Sequence, residues 1–224
     1  MHTPEHNLEL TSVTKRYGLG SPVISDFNHT FKAGTSTGLM GQNGSGKTTL
    51  LRMLSVTSFP TSGQIAFAGN SVHSTPYAYL RHVGIVHDES SLPQFMSAVE
   101  LLEYALRSRD KWTEDSPAHI DTLLDKLMLD ERRQNLIGTY SSGMLKKTQI
   151  GMALIAEPSV LLMDEPFRGL DVDSLQAATT LFNALKEKGG LMVIASHRKD
   201  MLSALCDDYI HLEPHSTPEA ASTK

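Results

Sequence analysis

Residues 41–49 read Gly41-Gln42-Asn43-Gly44-Ser45-Gly46-Lys47-Thr48-Thr49. This is a complete Gly-x-x-x-x-Gly-Lys-Thr phosphate loop, which predicts binding of a nucleoside triphosphate. The glycines allow a tight backbone nest whose N–H groups converge on phosphate oxygens. Lys47 adds a mobile positive charge near the β- and γ-phosphates, and the Thr48 hydroxyl is suited to ligate Mg²⁺.

The flanks of this loop supply the context that such a loop needs. Residues 36–40 are predicted to form a strand and residues 50–54 a helix. A helix that starts at the loop directs the positive end of its dipole at the bound anion. The strand–loop–helix order therefore favours the nucleotide site over a chance glycine-rich turn.

A second motif follows a run of apolar residues. Residues 160–163 read Val-Leu-Leu-Met and are followed by Asp164, Glu165 and a proline. The run predicts a buried parallel strand that ends in two carboxylates. Ligands of open α/β sheets bind at the carboxyl edge of the strands, so Asp164 is expected to help hold Mg²⁺. Glu165 is expected to stand near the γ-phosphate and polarise a water molecule.

Three further stretches complete a pattern of five motifs. They are Tyr140-Ser141-Ser142-Gly143-Met144, Gly169-Leu170-Asp171 and Ala195-Ser196-His197. In this order, together with the phosphate loop and the acidic pair, they resemble the nucleotide-binding cassette of ABC transporters. The resemblance covers the chain from near Leu8 to near Leu212. It implies an α/β fold: a P-loop NTPase core with a mixed sheet, an antiparallel β edge subdomain and a helical subdomain that carries the signature.

The resemblance also implies roles for single residues. Tyr17 resembles the aromatic residue that stacks on adenine. Ser141 and Gly143 match the signature that donates hydrogen bonds to the γ-phosphate of an opposite subunit. Asp171 matches a loop that communicates between the two sites of a dimer, and His197 matches the switch histidine.

Two sets of site residues follow from the motifs and the resemblance. The predicted catalytic residues are Lys47, Glu165 and His197. The predicted nucleotide-binding residues are Tyr17, Gly41, Asn43, Gly44, Ser45, Gly46, Lys47, Thr48, Thr49, Ser141, Gly143 and Asp171.

The sequence departs from the family pattern in two places. The usual Leu-Ser-Gly-Gly-Gln signature is replaced by Tyr-Ser-Ser-Gly-Met, which keeps Ser141 and Gly143. After residues 83–86 the family has Pro-Gln, and the glutamine senses Mg²⁺ and the attacking water. This chain has His87-Asp88 there. Asp88 can join Thr48 and Asp164 as a Mg²⁺ ligand, or Glu89 can take the role if the register slips by one.

Composition limits the remaining classes of protein. With 224 residues, 40% of them hydrophobic, the chain can bury one sizeable core. A net charge of −5 gives no sign of a nucleic-acid partner. Cys206 is the single cysteine, which fits a reducing compartment. The polar N-terminus predicts no signal peptide, and no apolar run approaches the ~20 residues that span a bilayer. The dispersed histidines predict no metal site beyond Mg²⁺ on the nucleotide.

The pattern along the chain predicts one domain, residues 1–212, and a disordered tail, residues 213–224. Alternating residues at 8–15, 27–31 and 64–67 predict strands at an antiparallel edge beside a parallel sheet. Apolar residues recur every three or four positions at 98–106 and 120–127, which predicts a helical subdomain over about 89–150. Ser141 is then expected at or near a helix N-terminus.

The sequence therefore predicts the ATPase subunit of an ABC transporter, with ATP and Mg²⁺ as its cofactors. One cassette per chain implies a homodimer or a pair with a related cassette. A membrane-spanning transporter subunit is the implied partner, so the chain is expected in the cytoplasm, peripheral on the cytoplasmic face of the membrane. The Tyr-Ser-x-Gly-Met form of the signature favours export weakly.

Two alternatives remain open at this point. One is an ATP-gated dimerising regulator with little hydrolysis, which Asp88 and Ser142 suggest and which intact Glu165 and His197 oppose. The other is a cytosolic ABC ATPase outside transport. The insert lacks the heptads of the repair members, and the chain lacks the second cassette of the translation members.

Overall fold

The computed structural model describes residues 6–89 and 91–213, and these form nine strands and seven α-helices. In chain order the elements are β1 (Leu8–Lys15), β2 (Ile24–Phe31), β3 (Ser36–Met40), α1 (Lys47–Leu54), β4 (Ser62–Phe67), β5 (Asn70–Ser71), α2 (Pro76–Leu80), β6 (Val83–Val86), α3 (Ala98–Arg107), α4 (Ser116–Lys126), α5 (Ser142–Leu154), β7 (Val160–Asp164), α6 (Val172–Glu187), β8 (Leu191–Ala195), α7 (Lys199–Leu205) and β9 (Asp208–His211). The predicted α/β class is confirmed.

The strands divide into two sheets. A five-stranded sheet has the order β6-β7-β8-β3-β9, and all its neighbours are parallel. A four-stranded sheet has the order β2-β1-β4-β5, and all its neighbours are antiparallel. Both kinds of pairing were predicted. The structure adds that each kind occupies a sheet of its own.

The parallel sheet brings the predicted motifs to one edge. Asp164 of β7 is in register with Ala195 of β8, and Ala195 is in register with Leu39 of β3. The segments that follow these three strands therefore leave the sheet side by side. They carry the phosphate loop, Glu165 and the residues after Ala195, as the rule for parallel sheets leads one to expect.

One apolar cluster fixes the helix behind the phosphate loop. Leu8 of β1, Leu50 of α1 and Val193 of β8 are fully buried in it, so α1 packs between the two sheets. Burying one leucine side chain fully stabilises the folded state by about 1.5–3 kcal/mol relative to leaving it exposed. The start of α1 is therefore held on two sides.

A second apolar cluster lies on the other face of the parallel sheet. Leu102 of α3, Leu124 of α4 and Ile150 of α5 are fully buried there with Met163 of β7. The predicted helical periodicity is confirmed by α3 and α4. Because α5 continues to Leu154, the helical packing runs past the predicted boundary at about 150. That boundary stays a prediction.

The predicted domain begins at residue 1, and the predicted disordered tail spans residues 213–224. Residues 1–5 of the domain and the tail beyond Glu213 lie outside the described residues. Within the residues that are described, no helix combines the length and apolar character needed to cross a membrane.

Candidate active site

The phosphate loop joins β3 to α1. Gly41 has φ 149°, and a Cβ at this residue would lie 2.3 Å from the Leu212 carbonyl oxygen and 2.4 Å from Ser45 Oγ. Only glycine fits this backbone. The loop turns through a hydrogen bond from Ser45 N to the Gln42 carbonyl (3.2 Å), and α1 begins at Lys47. The first N–H groups of α1 have no acceptor within the helix, so they are available to an anion.

Lys47 folds back over this loop. Its Nζ donates to the carbonyl oxygens of Gly41 (2.7 Å) and Gln42 (3.0 Å). An ammonium group has three N–H bonds, so one stays available for a phosphate oxygen. The charge is therefore held at the loop before any nucleotide arrives.

Thr48 and Asp164 meet where α1 starts and β7 ends. Thr48 Oγ1 donates to Asp164 Oδ2 over 2.8 Å. Both residues, with Asp88, line a cavity of about 620 Å³. Hydroxyl and carboxylate oxygens are the ligands that Mg²⁺ prefers. The phosphate loop, whose backbone at Gly41 only glycine can adopt, and this pair of oxygen donors together fit a triphosphate with Mg²⁺.

Glu165 is buried, with 9% of the residue exposed, and its backbone is in the left-handed region at φ 47°. Its carboxylate is oriented by the chain after β8. Oε1 accepts a hydrogen bond from His197 N (2.8 Å), and Oε2 accepts one from Ser196 Oγ (3.1 Å). A non-glycine residue at positive φ is costly and often marks a functional site. The carboxylate is thus held by two hydrogen bonds from the chain after β8 rather than left to rotate in solvent.

The His197 ring stands beside this carboxylate. Its Nε2 lies 3.8 Å from Glu165 Oε1, and 56% of the side chain is exposed. A ring that is half in solvent can reach a ligand without a large rearrangement. The role of Ser196 in orienting Glu165 was not predicted. Its position directly before His197, inside the Ala-Ser-His motif, could have indicated it.

Asp88 has an ion-pair partner that the sequence did not indicate. Arg168 Nη1 lies 2.6 Å from Asp88 Oδ1. Arg168 follows Glu165 by three residues, so the pair links the loop after β6 to the loop after β7. Its positive charge offsets the extra negative charge that Asp88 brings near a polyphosphate site. No spacing pattern connects positions 88 and 168, which is why the pair was missed.

The signature segment forms the start of α5. Ser141 is the N-cap residue, and its side chain accepts a hydrogen bond from Met144 N (3.3 Å). The predicted placement of Ser141 at a helix N-terminus is confirmed. Asp171 caps α6 in the same way, accepting from Ser174 N (2.8 Å). Hydrogen bonds from the Ser174 side chain and backbone lower the pKa of Asp171, so this cap stays charged.

Tyr17 lies two residues after β1 and beside the first turn of α1. Burial raises the pKa of Tyr17, but hydrogen bonds with Thr49 and Ser58, aided by nearby cations, outweigh it and lower the pKa. The Nζ of Lys15 is 4.8 Å from the ring centroid. Half of the residue is exposed, so an aromatic surface remains available next to the phosphate loop.

Comparison with known proteins decides the family. The sequence model of the family described as ABC transporter matches residues 24–168. The chain belongs to the ABC transporter family. It is the ATP-binding subunit of such a transporter, and its activity is that of an ABC ATPase.

Curated ABC relatives from bacteria agree with this assignment. The ABC transporter ATP-binding protein NatA of Bacillus subtilis is 30% identical over 207 residues, which are 91% of this chain and 84% of NatA. The Nod factor export ATP-binding protein I of Rhizobium meliloti is 30% identical over 211 residues, which are 94% of this chain and 62% of that protein. The chain thus spans less than two thirds of this second relative.

Solved ABC structures show the same fold. The ATP-binding subunit of an ABC transporter superposes with a TM-score of 0.87 at 24% identity, covering 94% of this chain and 89% of that one. A dimeric ATP-binding cassette in a post-hydrolysis state with ADP and Pi superposes with a TM-score of 0.82 at 21% identity, covering 94% and 97%.

The ABC family match stops short of several site residues. Tyr17 precedes residue 24, and Asp171 and His197 follow residue 168. Their roles stay predictions from the resemblance of their motifs to the family pattern. The structure gathers Lys47, Asp164, Glu165, His197 and their neighbours at one sheet edge. Within the described part of the chain, no hydrogen bond or ion pair joins Ser141 or Gly143 to residues 41–49.

Gly143 of α5 packs so closely against the backbone at Gly169 that a larger residue should destabilise this ABC subunit. A Cβ at Gly143 would lie 2.7 Å from the Gly169 carbonyl oxygen, which is backbone and cannot step aside like a side chain. Replacing a helical glycine by alanine ordinarily stabilises a helix by about 0.5–1 kcal/mol. We expect overlap to outweigh that gain, so Gly143→Ala should lower the free energy of unfolding by about 1–3 kcal/mol in urea titrations.

The matched control is Gly20→Ala. The nearest atom to a Cβ at Gly20 is the Tyr17 carbonyl oxygen at 3.8 Å, an ordinary contact. This substitution should change the free energy of unfolding by about 0.5 kcal/mol or less. A Gly143→Ala protein as stable as the parental protein would show that α5 and the Gly169 loop are not packed as described.

Proposed function

We propose that this chain hydrolyses ATP on the cytoplasmic face of a membrane and powers export through a separate membrane-spanning subunit. The observation that carries the proposal is the Glu165 carboxylate, fixed by Ser196 and His197 beside the Thr48–Asp164 pair. Export is favoured by the relative that is named for Nod factor export. The cargo is expected to contact the membrane-spanning subunit rather than this cassette.

The chemistry assigned to the site is transfer of the γ-phosphoryl group of ATP to water. Phosphate oxygens would be held by the backbone N–H groups of the loop, with Lys47 neutralising charge as it develops. Thr48 and Asp164, joined by Asp88, would hold Mg²⁺, which supplies positive charge to the phosphate oxygens when bound. Glu165 orients the attacking water and accepts its proton, while the new P–O bond forms and the bond to ADP breaks. His197, whose ring stands beside Glu165, would contact the γ-phosphate.

Base recognition is assigned to Tyr17. The ring surface beside Thr49 suits stacking of a flat base, and adenine is the base expected for this family. Thr49 and the other loop residues would then surround the phosphates.

A dimer is part of the proposal. Ser141 and Gly143 stand at the free N-terminus of α5, whose N–H groups and dipole suit an anion. Among the described residues, no hydrogen bond or ion pair joins them to the chain's own phosphate loop, which supports a role on ATP bound to a second cassette. The partner would be a second copy of this chain or a related cassette, with Asp171 near the contact between the two.

Co-purification and directed transport test the function. We expect a membrane-spanning protein to copurify with the tagged chain and to stimulate phosphate release when both are placed in vesicles. With ATP outside the vesicles, an exporter moves its cargo into the lumen. Movement of cargo out of the lumen under the same conditions would contradict export.

The alternative with support in the structure is a dimerising regulator with little hydrolysis. Asp88 and Ser142, which depart from the family pattern, motivate it, and intact Glu165 and His197 oppose it. Basal phosphate release separates the two functions. A protein that binds ATP and dimerises but releases no phosphate above background is a regulator.

Asp88→Gln restores the residue that the family has at this position. The change removes one negative charge near the phosphates and frees Arg168 from its ion pair. We expect the ATP Kd to change by less than about tenfold, or roughly 1.4 kcal/mol, because Lys47, Glu165 and His197 are untouched. Hydrolysis, and its stimulation by the membrane partner, should change more than the Kd does.

Parallel ATP titrations and ATPase assays, with and without the membrane partner, measure these quantities. Asp115→Gln is a suitable control, since Asp115 lies just before α4 and away from the sheet edge. If the Kd, the basal rate and the stimulated rate are all unchanged in Asp88→Gln, Asp88 is a bystander. Glu89 or a neighbouring residue would then carry the coupling role.

A further inference from the structure

Lys146 is a buried lysine in the second turn of α5, with 2% of the residue exposed. Burial of an ammonium group is costly unless the charge is paired or hydrogen-bonded, so such a lysine needs an explanation. Lys146 lies outside all five sequence motifs and is not among the predicted site residues.

The partners of Lys146 are backbone atoms of the loop after β6. Its Nζ donates to the carbonyl oxygens of His87 (2.6 Å) and Asp88 (3.0 Å). Three residues further along α5, and on the same face of the helix, Gln149 Nε2 donates to the Glu89 carbonyl oxygen (3.0 Å). One helix thus holds three consecutive carbonyl groups, residues 87–89, which we call loop 87–89.

The side chain of Asp88 is held from another direction. It pairs with Arg168, on the segment that follows Glu165. Loop 87–89 is therefore fixed through its backbone by α5 and through its side chain by the loop after β7. Bonds to backbone carbonyls fix where loop 87–89 lies, whichever side chain stands at position 88.

The charges that face Lys146 belong to the reaction site. Burial lowers the pKa of Lys146, Asp88 raises it, Arg168 lowers it, and Asp164 and Glu165 raise it. The ammonium group therefore lies within electrostatic range of Asp88, Asp164 and Glu165, the three carboxylates of the proposed site. A positive charge there lessens the repulsion among them.

We propose that Lys146 is a positioning residue for ATP hydrolysis: it clamps loop 87–89 to the signature helix and thereby sets where Asp88 stands relative to Thr48 and Asp164. The clamp also joins Ser141, five residues earlier in the same helix, to the Mg²⁺ end of the site. A displacement of α5 must carry loop 87–89 along or break two charge-assisted hydrogen bonds.

This inference rests on the proposed site, but its first test is independent of it. In nucleotide-free protein, Lys146→Met keeps an unbranched apolar side chain in the buried position and removes both hydrogen bonds. We expect amide hydrogen exchange in a peptide covering residues 83–89 to become about tenfold faster or more, because β6 loses the anchor at its end and its backbone pairing with β7 opens more often. A peptide covering α1 should exchange as in the parental protein.

Lys147→Met is the matched control. Lys147 is the next residue of α5 and also donates to a backbone carbonyl, that of Met128 (2.9 Å), away from the sheet edge. It should leave the exchange of residues 83–89 unchanged. Exchange that rises throughout Lys146→Met would show a general loss of stability, and unchanged exchange in residues 83–89 would show that no clamp exists. Either result overturns the proposal.

The second test is a double-mutant cycle with Asp88→Ala on ATPase kinetics. We expect Lys146→Met to lower kcat by about tenfold, with the KM for ATP changed by less than about threefold. In the Asp88→Ala background the same substitution should lower kcat by only about twofold, because the side chain that Lys146 positions is absent. A merely structural lysine would give multiplicative losses.

Two outcomes of this cycle overturn the proposal. One is a kcat loss that multiplies in the double variant. The other is a loop that opens by hydrogen exchange while kcat is unchanged, which would leave a clamp that does not serve the reaction. Where Lys146→Met lowers the yield of folded protein, Lys146→Gln keeps an N–H donor without the charge and is measured in the same way, with smaller losses expected. Failure of the ATPase assignment itself would be visible separately, as a Glu165→Gln protein that hydrolyses ATP at the parental rate.

Discussion

Glu165→Gln should lower the rate of ATP hydrolysis by about 10²–10⁴-fold while ATP remains bound. The substitution keeps the size and the hydrogen-bonding shape of the side chain but removes the carboxylate that accepts a proton from the attacking water. The amide oxygen can still accept from His197 N, and the Ser196 hydroxyl can turn to accept from the amide N–H, so the loop after β7 should stay in place. The loss is therefore chemical rather than structural.

Phosphate release and ATP titration on the same preparation measure the two effects. Glu187→Gln is the control, because Glu187 ends α6 on the exposed surface and should leave hydrolysis unchanged. Because the variant binds ATP without consuming it, a dimer with ATP should also accumulate. Hydrolysis at the parental rate would show that Glu165 is not the catalytic carboxylate.

Lys47→Ala should weaken ATP binding itself. The ammonium group is fixed at the loop by two carbonyl oxygens and is the cation expected nearest to the γ-phosphate. Truncating one partner of a desolvated charge pair costs about 2–5 kcal/mol, which corresponds to roughly a 30- to 5,000-fold higher Kd. Isothermal titration calorimetry with ATP and Mg²⁺ gives this Kd directly.

Lys32→Ala is the control for this experiment. Lys32 is exposed just after β2 and should leave the Kd unchanged. Equal affinity of the parental and Lys47→Ala proteins for ATP would contradict the assignment of residues 41–49 as the phosphate site.

Much of the fold follows from local sequence. Alternation over residues 8–15 predicted β1 with its observed bounds, the place of residues 36–40 before the phosphate loop predicted β3, and the apolar run at 160–163 predicted β7. These signals are strong because burial dictates the pattern. A strand with one buried face has an apolar residue at every second position, and a strand with both faces buried has one at nearly every position. The division into a parallel and an antiparallel sheet was less visible, because pairing partners are far apart in sequence.

The site was predictable where chemistry is carried by a motif. The placement of Thr48 against Asp164 and of Glu165 beside His197 follows from strands ending at one edge. The Asp88–Arg168 pair and the bonds from Lys146 to loop 87–89 were not predicted. They join segments 58 and 59 residues apart, or farther, through side chains whose direction only tertiary packing decides.

The steady-state rate of phosphate release, measured against the concentration of the purified chain, tests the central claim most directly. If the chain is an ABC ATPase whose site is completed by Ser141 and Gly143 of a second cassette, it releases phosphate from ATP, and the rate per chain rises with concentration as dimers form. A rate per chain that stays constant while light scattering shows only monomers, or no phosphate release at all, would contradict the account.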